Sequence, residues 1–419
     1  MMKEYELIGI GAGPANLSLA ALSQKAKIKT IFFDKQEAFS WHPGMLLPEA
    51  KLQVSFLKDL VTLVDPTNEY SFLNFLMHKE SLYQFITANF PQISRLEFNQ
   101  YLRWVSHRLP TVSKGEPVSE VEFNGKLLVI KTSKGFYHTK NLVLGTGLTP
   151  YVPLSCINAI GSDVYHNNDY MLKNDSFAGK RVAIIGGGQS GAEIVCNLLS
   201  DRNNIPDSIV WISKRLNFLP IDDSPFTNEL FTPQYAKYFY QLNTEKKDTL
   251  LLNHKLASDG ISQHTIEEIY RKLYEHRFIN QKAEGFKLLP AHRLCSIVKN
   301  SDHYQLDVID LESDRVKKIT DDKIVLCTGY QYQEPKFLSK IKPLFNYDDR
   351  GLVISDTYQV DWRGSDACSI YIQNGARHTH GVADPNLSLL AYRSALILND
   401  ILDYELYPKT HGSRLINWD

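Results

Sequence analysis

The 419-residue sequence is short of cysteine, and what it has is not arranged for chemistry. Cys156, Cys196, Cys295, Cys327 and Cys368 are scattered, odd in number and show no Cys-x-x-Cys spacing. That argues against a disulfide framework, a cysteine zinc site and a dithiol redox centre, and points to a reducing compartment. Excess charge of one sign is also missing: 46 Lys and Arg against 47 Asp and Glu leave a net charge of -1, which argues against nucleic acid or an anionic membrane as partner. No apolar run approaches the ~18 residues of a membrane span. Tyr5 to Ile10 leads within a few residues of the N-terminus into a glycine turn, without the basic and apolar segments of a cleavable signal, so a cytoplasmic protein is expected. His378 and His380 have no carboxylate or cysteine set at ligand spacing around them, and no metal is expected. Repeats and low-complexity segments are absent.

What is present is a pair of glycine turns. The chain exceeds the roughly 250–300 residues at which single cores stop growing, so two main domains are expected. The strand-like run from Tyr5 to Ile10 meets Gly11-Ala12-Gly13-Pro14-Ala15-Asn16, and a second strand from Thr30 ends on Asp34. In a dinucleotide turn the glycines permit tight backbone and close approach of pyrophosphate to a helix N-terminus, and a carboxylate downstream accepts the hydroxyls of an adenosine ribose. Asn16 departs from the usual third glycine. The second turn is stricter: Arg181 to Ile185 feeds Gly186, Gly188 and Gly191, with Gln189 and Ser190 opening the helix. Its next strand ends on Ser213-Lys214-Arg215, the electrostatic inverse of Asp34. Basic groups would grip a ribose 2′-phosphate that an acid would repel. A flavin or NAD-type adenosine is therefore expected at the first turn and an NADP-type one at the second.

The segments between carry further candidates. Trp41 and His42 lie in a prolyl loop, where they could line a cofactor pocket or simply pack. Lys58 stands in an apolar neighbourhood, where lysine needs a partner: an anionic ligand group or the adjacent Asp59. Residues 70–77, 82–90 and 95–108 read as amphipathic helices. Strands at 118–123 and 126–132 are joined by Asn124-Gly125, the pair favoured in two-residue hairpins. Two apolar strands ending in Thr-Gly, at 141–147 and 322–330, suit a chain that leaves and re-enters one domain around another. A further strand is expected at 366–373 and a helix to Ile401. The reading is an α/β protein with two Rossmann-like dinucleotide-binding domains. Residues 1–165 would form the first part of an FAD-binding domain and 166–328 an NADPH-binding domain with a helical substrate-covering insert at about 222–285. Residues 329–419 would return to the first domain and supply the C-terminal helix.

One acidic and one basic dinucleotide site favour a flavoprotein reduced by NADPH, and the lack of a redox cysteine pair favours a monooxygenase over a disulfide reductase. The motifs Gly11-Ala12-Gly13-Pro14-Ala15-Asn16-Leu17-Ser18, Phe39 to Met45, Phe56 to Val61, Gly186 to Ala192, Ser258-Asp259-Gly260-Ile261, Cys327-Thr328-Gly329-Tyr330 and Thr379-His380-Gly381 carry a family resemblance over nearly the whole chain. The sequence resembles the flavin-dependent N-hydroxylating monooxygenases of siderophore biosynthesis, and among them the lysine N6-hydroxylases. Asn16 then reads as a family trait, whereas Cys327 departs from the usual alanine.

The resemblance implies FAD and NADPH as cofactors, and a C4a-hydroperoxyflavin whose distal oxygen is attacked by a neutral primary amine. It implies that Lys58 grips a substrate carboxylate, that Gln53 lies beside the flavin, that Asn228 contacts the amino-acid end and that Ser388 touches flavin and substrate. Ser258 and Asp259 replace an Asn-Tyr pair of the ornithine hydroxylases, which tilts the expected substrate from ornithine to lysine. The partners implied are a small amine and molecular oxygen, within a homo-oligomer (dimer or tetramer). A diamine or histamine hydroxylase on the same scaffold and an NADPH-dependent flavin reductase or oxidase remain alternatives.

Overall fold

The computed structural model describes residues 3–173, 175–201, 203–280, 285–408 and 415–418. Residues 281–284 of the expected insert and 409–414 of the polar tail lie outside them.

The chain opens with β1 (Lys3–Ile10), whose second half is fully buried, then α1 (Pro14–Ser23) with proline in its first turn, and β2 (Thr30–Phe33) parallel to β1. A proline there sacrifices no hydrogen bond, because the first amides of a helix have no partner within it. Three helices follow: α2 (Phe72–His78), α3 (Leu82–Ala88) and α4 (Arg95–Arg108). Ser94 caps α4 by accepting from the amides of Leu96 and Glu97. Its face of Phe98, Tyr101, Leu102 and Val105 is buried at helical spacing, each apolar side chain stabilising by about 1.5–3 kcal/mol. Strands β3 (Val112–Ser113), β4 (Val118–Phe123), β5 (Leu128–Thr132) and β6 (Gly135–Leu144) complete this half.

The β4–β5 hairpin differs from expectation. Phe123 pairs with Leu128, so the loop holds four residues, not two. Asn124 builds it by accepting from the amides of Lys126 (3.0 Å) and Leu127 (2.9 Å), with Gly125 at φ 89. A side-chain acceptor at the first loop position competes with strand pairing, which is why β5 starts at Leu128 rather than Lys126.

After β7 (Thr149–Pro150) come β8 (Val164–His166), β9 (Arg181–Ile185), α5 (Gln189–Ser200) and β10 (Ser208–Ile212). Five helices follow: α6 (Pro225–Asn228), α7 (Pro233–Gln241), α8 (Thr244–Asn253), α9 (Lys255–Asp259) and α10 (Gln263–Tyr274). Then come β11 (Phe286–Leu289), β12 (His292–Lys299), β13 (Tyr304–Asp310), β14 (Val316–Asp321) and β15 (Lys323–Leu326). The chain returns through β16 (Tyr330–Gln331), antiparallel to β7, and a small pair, β17 (Tyr347–Asp348) and β18 (Gly351–Leu352). It ends with β19 (Ser369–Ile372), α11 (Arg377–His380) and α12 (Leu390–Leu402).

Two main sheets result. The first has the order β3-β2-β1-β6-β5-β4, and β19 pairs in parallel with β6. The long β6 makes this possible: its first half takes the antiparallel β5 and its second half, Asn141–Leu144, takes β19. The C-terminal segment thus re-enters the first sheet, although β19 is shorter than the stretch 366–373. The second sheet, β11-β10-β9-β15-β8, is parallel throughout. An antiparallel meander of β12, β13 and β14 lies beside it. Helix α7 and its approach pack Leu230, Phe231, Tyr235 and Phe239 against Val382, Ala383 and Leu389. The helical insert is thereby fastened to the segment that carries Ser388.

Candidate functional site

At the first turn Gly11 has φ 86, and a Cβ there would stand 2.4 Å from the Gly145 carbonyl. Asn16 is fully buried and donates to the carbonyls of Gly11 (2.7 Å) and Ile10 (3.2 Å) while accepting from Gln373 (2.8 Å). Gln373 in turn accepts from the Arg393 guanidinium, which pairs with Asp384 at 3.0 Å. The asparagine therefore replaces glycine's packing role with hydrogen bonds that tie the turn to the returning segment. Asp34 accepts from the Ala12 amide (2.7 Å) and the Gln36 amide (2.8 Å). It lines a small hollow of about 70 Å³ together with Gly13, Pro14 and Trp41. Trp41 packs edge-on to Phe98, and its amide donates to Asn99. His42 takes a left-handed backbone, φ 49, with its ring against Trp41 and Tyr330. Its surface stays accessible, yet the surrounding protein and the nearby Arg95 hold its pKa down to about 4, so the ring is neutral at pH 7.

The second turn borders a cleft of about 950 Å³. A Cβ on Gly186, at φ 134, would meet the Cys327 carbonyl at 2.0 Å. Gly191 lets α5 close on the strand: its Cβ would lie 2.3 Å from the Gly186 carbonyl, which accepts from the Trp211 indole at 2.8 Å. Gly188 is not crowded, the nearest atom to its Cβ being the Asp259 carbonyl at an ordinary contact distance of 3.7 Å. Gln189 and Ser190 line the cleft at the start of α5, and Ser213, Lys214 and Arg215 line it at the end of β10. Ser213 is itself buried and accepts from the Arg215 amide, so it holds the turn that presents Arg215. Lys255, Arg293 and Arg377, which sequence reasoning did not single out, add cations to the same cleft. They come from three distant segments, and only the fold collects them. A helix N-terminus, a glycine that leaves room for a ligand and a set of cations fit a dinucleotide with a phosphorylated ribose.

The structure puts Ser258 and Asp259 in this cleft, against the glycine turn: Arg215 donates to the Asp259 carbonyl at 2.8 Å, and Ser258 donates to the Asp259 carboxylate. Gln53 bridges the two halves, reaching Ser262 (3.2 Å) and Gln189 (3.4 Å).

Lys58 and Ser388, 330 residues apart, meet at 3.1 Å. Ser388 donates to Asn386 at 2.8 Å, leaving its lone pairs for the ammonium, and Asn386 lines the cleft. Desolvation lowers the pKa of Lys58. The adjacent Asp59 is not its partner: that carboxylate is turned into the core and accepts from Val61, Thr62 and Phe72. Asn228 is not brought to this cluster by its side chain. It is exposed, and its amide donates to the Asp223 carbonyl at 2.8 Å within its own loop.

Among the described residues no group of three His, Cys, Asp or Glu is placed to hold a metal, and no helix is long and apolar enough to cross a membrane. His378 bonds the Leu352 carbonyl and His380 stacks on Tyr358.

Over residues 3–332 the chain matches the family described as L-lysine 6-monooxygenase/L-ornithine 5-monooxygenase. It is 36% identical to the L-lysine N6-monooxygenase of Escherichia coli, over 100% of this chain and 99% of that protein. It is 37% identical to the putrescine N-hydroxylase of Shewanella oneidensis, over 96% of this chain and 82% of that one. The FAD-bound cadaverine monooxygenase of Erwinia amylovora superposes with a TM-score of 0.92 at 30% identity, covering 99% of this chain and 98% of that one. The resemblance read from the motifs is borne out, and the chain belongs to the L-lysine 6-monooxygenase/L-ornithine 5-monooxygenase family of N-hydroxylating enzymes.

Proposed function

We propose that this chain hydroxylates the terminal amine of L-lysine, with FAD bound at the first glycine turn and NADPH at the second. The overall change is R-NH2 + O2 + NADPH + H+ to R-NHOH + NADP+ + H2O. The observation that carries the choice of an amino acid is Lys58, a desolvated ammonium with a serine for company and no carboxylate partner among the described residues. Burying an unpaired charge is costly unless a counter-ion arrives, and the α-carboxylate of lysine supplies one. Ser388, itself held by Asn386, accepts one N–H of the ammonium, and two N–H groups remain for a ligand.

FAD reduced by NADPH supplies the oxygen-activating chemistry when bound. The chain's part is to hold, orient and keep dry. Gly186 to Ser190 would receive pyrophosphate, and Lys214 and Arg215 would receive the 2′-phosphate. Phe231, whose ring lies 5.9 Å from the Lys58 nitrogen, belongs to the apolar cluster that the insert forms with Val382 and Leu389. Such a wall lowers the dielectric around Lys58 and keeps water from the end of the site that takes the carboxylate. With a reference pKa of ~10.4, the substrate amine would pay about 4.6 kcal/mol to be neutral at pH 7 in water, and desolvation reduces that cost. The hydroxylamine product is the nucleophile a hydroxamate siderophore requires.

A diamine substrate is the second reading, favoured by the similarity to putrescine and cadaverine hydroxylases. Lys58→Ala separates the two. With lysine as substrate, KM should rise on the order of 10- to 100-fold, the loss of a charge-assisted contact of about 1.5–3 kcal/mol. If instead putrescine or cadaverine is hydroxylated in preference to lysine and Lys58→Ala leaves KM unchanged, the diamine reading stands. Hydrogen peroxide as the sole product from every amine would leave only a flavin oxidase.

A further inference from the structure

Glu193 lies in the second turn of α5, is buried and does not line the cleft. Its carboxylate receives both ends of the Arg95 guanidinium, at 2.7 and 3.0 Å, and Arg95 also donates to the Met45 carbonyl. The pair joins α4 of the first half to α5 of the second with side chains only 13% and 6% exposed. The carboxylate oxygen that takes the 2.7 Å bond also accepts from the Gln189 amide nitrogen, at 3.0 Å. The Gln189 oxygen then accepts from the Ser262 backbone amide at 2.7 Å and from Gln53 at 3.4 Å.

The direction of this chain is dictated by chemistry. A guanidinium and a backbone N–H can only donate, and a carboxylate facing a guanidinium can only accept. Gln189 is caught between an obligatory acceptor and an obligatory donor, so its nitrogen must face Glu193 and its oxygen Ser262. Gln53 must then approach Gln189 with its NH2 group. Its own oxygen is left without a protein partner among the described residues.

We infer that Glu193, held by Arg95, is a positioning residue: through Gln189 it fixes the amide orientation of Gln53 and presents the Gln53 carbonyl oxygen to an N–H donor of the bound ligands. The inference rests on the reading of Gln53 as a site residue. A neutral isostere at 193 keeps one oxygen but also carries an NH2 group, so it no longer obliges Gln189 to donate to it. Gln189 is then held in orientation by the Ser262 amide alone, and the hold on Gln53 loosens with it.

The experiment uses the FAD-loaded enzyme and the isosteric Glu193→Gln. Hydrogen–deuterium exchange of the peptide containing Ser262 should quicken at least several-fold in Glu193→Gln, and unchanged exchange overturns the relay. Hydroxylamine formed per NADPH oxidised should fall about three-fold or more in both Glu193→Gln and Gln53→Ala, with no further fall when the two are combined. Additive losses in the double variant would show that Glu193 acts otherwise than through Gln53. A silent Gln53→Ala would instead refute Gln53 as a site residue, and the relay with it. Should Glu193→Gln lose FAD or fold poorly, Gln189→Leu, which cannot relay direction, is put through the same cycle with Gln53→Ala.

Discussion

The two glycine turns solve the same backbone problem, and their surroundings differ in almost every other respect. The first is closed: Asn16 fills it, Asp34 accepts from its Ala12 amide, and Gln373 and Arg393 tie it to the last 50 residues. The second is open, bordering about 950 Å³ lined with cations. One turn is bolted into the core by the returning chain, while the other is packed by a glycine and a tryptophan and faces a space. A cofactor that stays can use the first arrangement, and one that must arrive oxidisable and leave oxidised suits the second.

The largest blow to this contrast should come from Gly186→Ala. The added carbon meets a backbone oxygen at 2.0 Å in a conformation L-residues avoid. About 3 kcal/mol or more of stability should be lost, and rapid-mixing traces should show NADPH reducing the flavin on the order of 100-fold more slowly. Gly188→Ala, whose Cβ would meet nothing closer than 3.7 Å, should keep its melting temperature and weaken NADPH alone. Next in size is Arg215→Ala. Losing a charge-assisted grip of about 1.5–3 kcal/mol should raise KM for NADPH on the order of 10- to 100-fold, with KM for NADH nearly unchanged. Equal effects on both would refute the basic turn as the 2′-phosphate site.

Asn16→Ala tests the closed turn. It leaves Gln373 and two carbonyls short of partners, at about 1–3 kcal/mol, and should lower the melting temperature and loosen FAD, both read by flavin fluorescence on heating. The smallest effect is in pH. Burial lowers the Lys58 pKa, so its cation is present at low pH and is lost as pH rises through a value below that of free lysine. KM for L-lysine should therefore climb on the alkaline side before the substrate amine itself titrates. In Lys58→Arg that limb should move beyond the measurable range.

Legibility followed sequence distance. The glycine spacings, and the places of Asp34 and Arg215 beside the two turns, could be read because a strand-turn-helix-strand unit is local. The site residues that need the tertiary fold were less transparent. Ser258 and Asp259 were read for the choice between lysine and ornithine, and the fold sets them against the second glycine turn, because the C-terminal end of α9 lies against Arg215. Asn228 faces solvent because a short helix capped by Ser224 turns its amide toward Asp223. Arg95 and Glu193, on two helices and 98 residues apart, are paired only by the fold.

What the sequence determined by itself is the family, the two dinucleotide turns and the sign of charge that follows each. These rest on backbone conformation and on residues within one supersecondary unit, where spacing is enough. Only the tertiary structure decided which side chains share a site. Lys58 finds Ser388 rather than Asp59, and Gln53 finds Gln189 and Ser262, because buried polar groups must pair wherever the packing of distant elements brings a partner within reach.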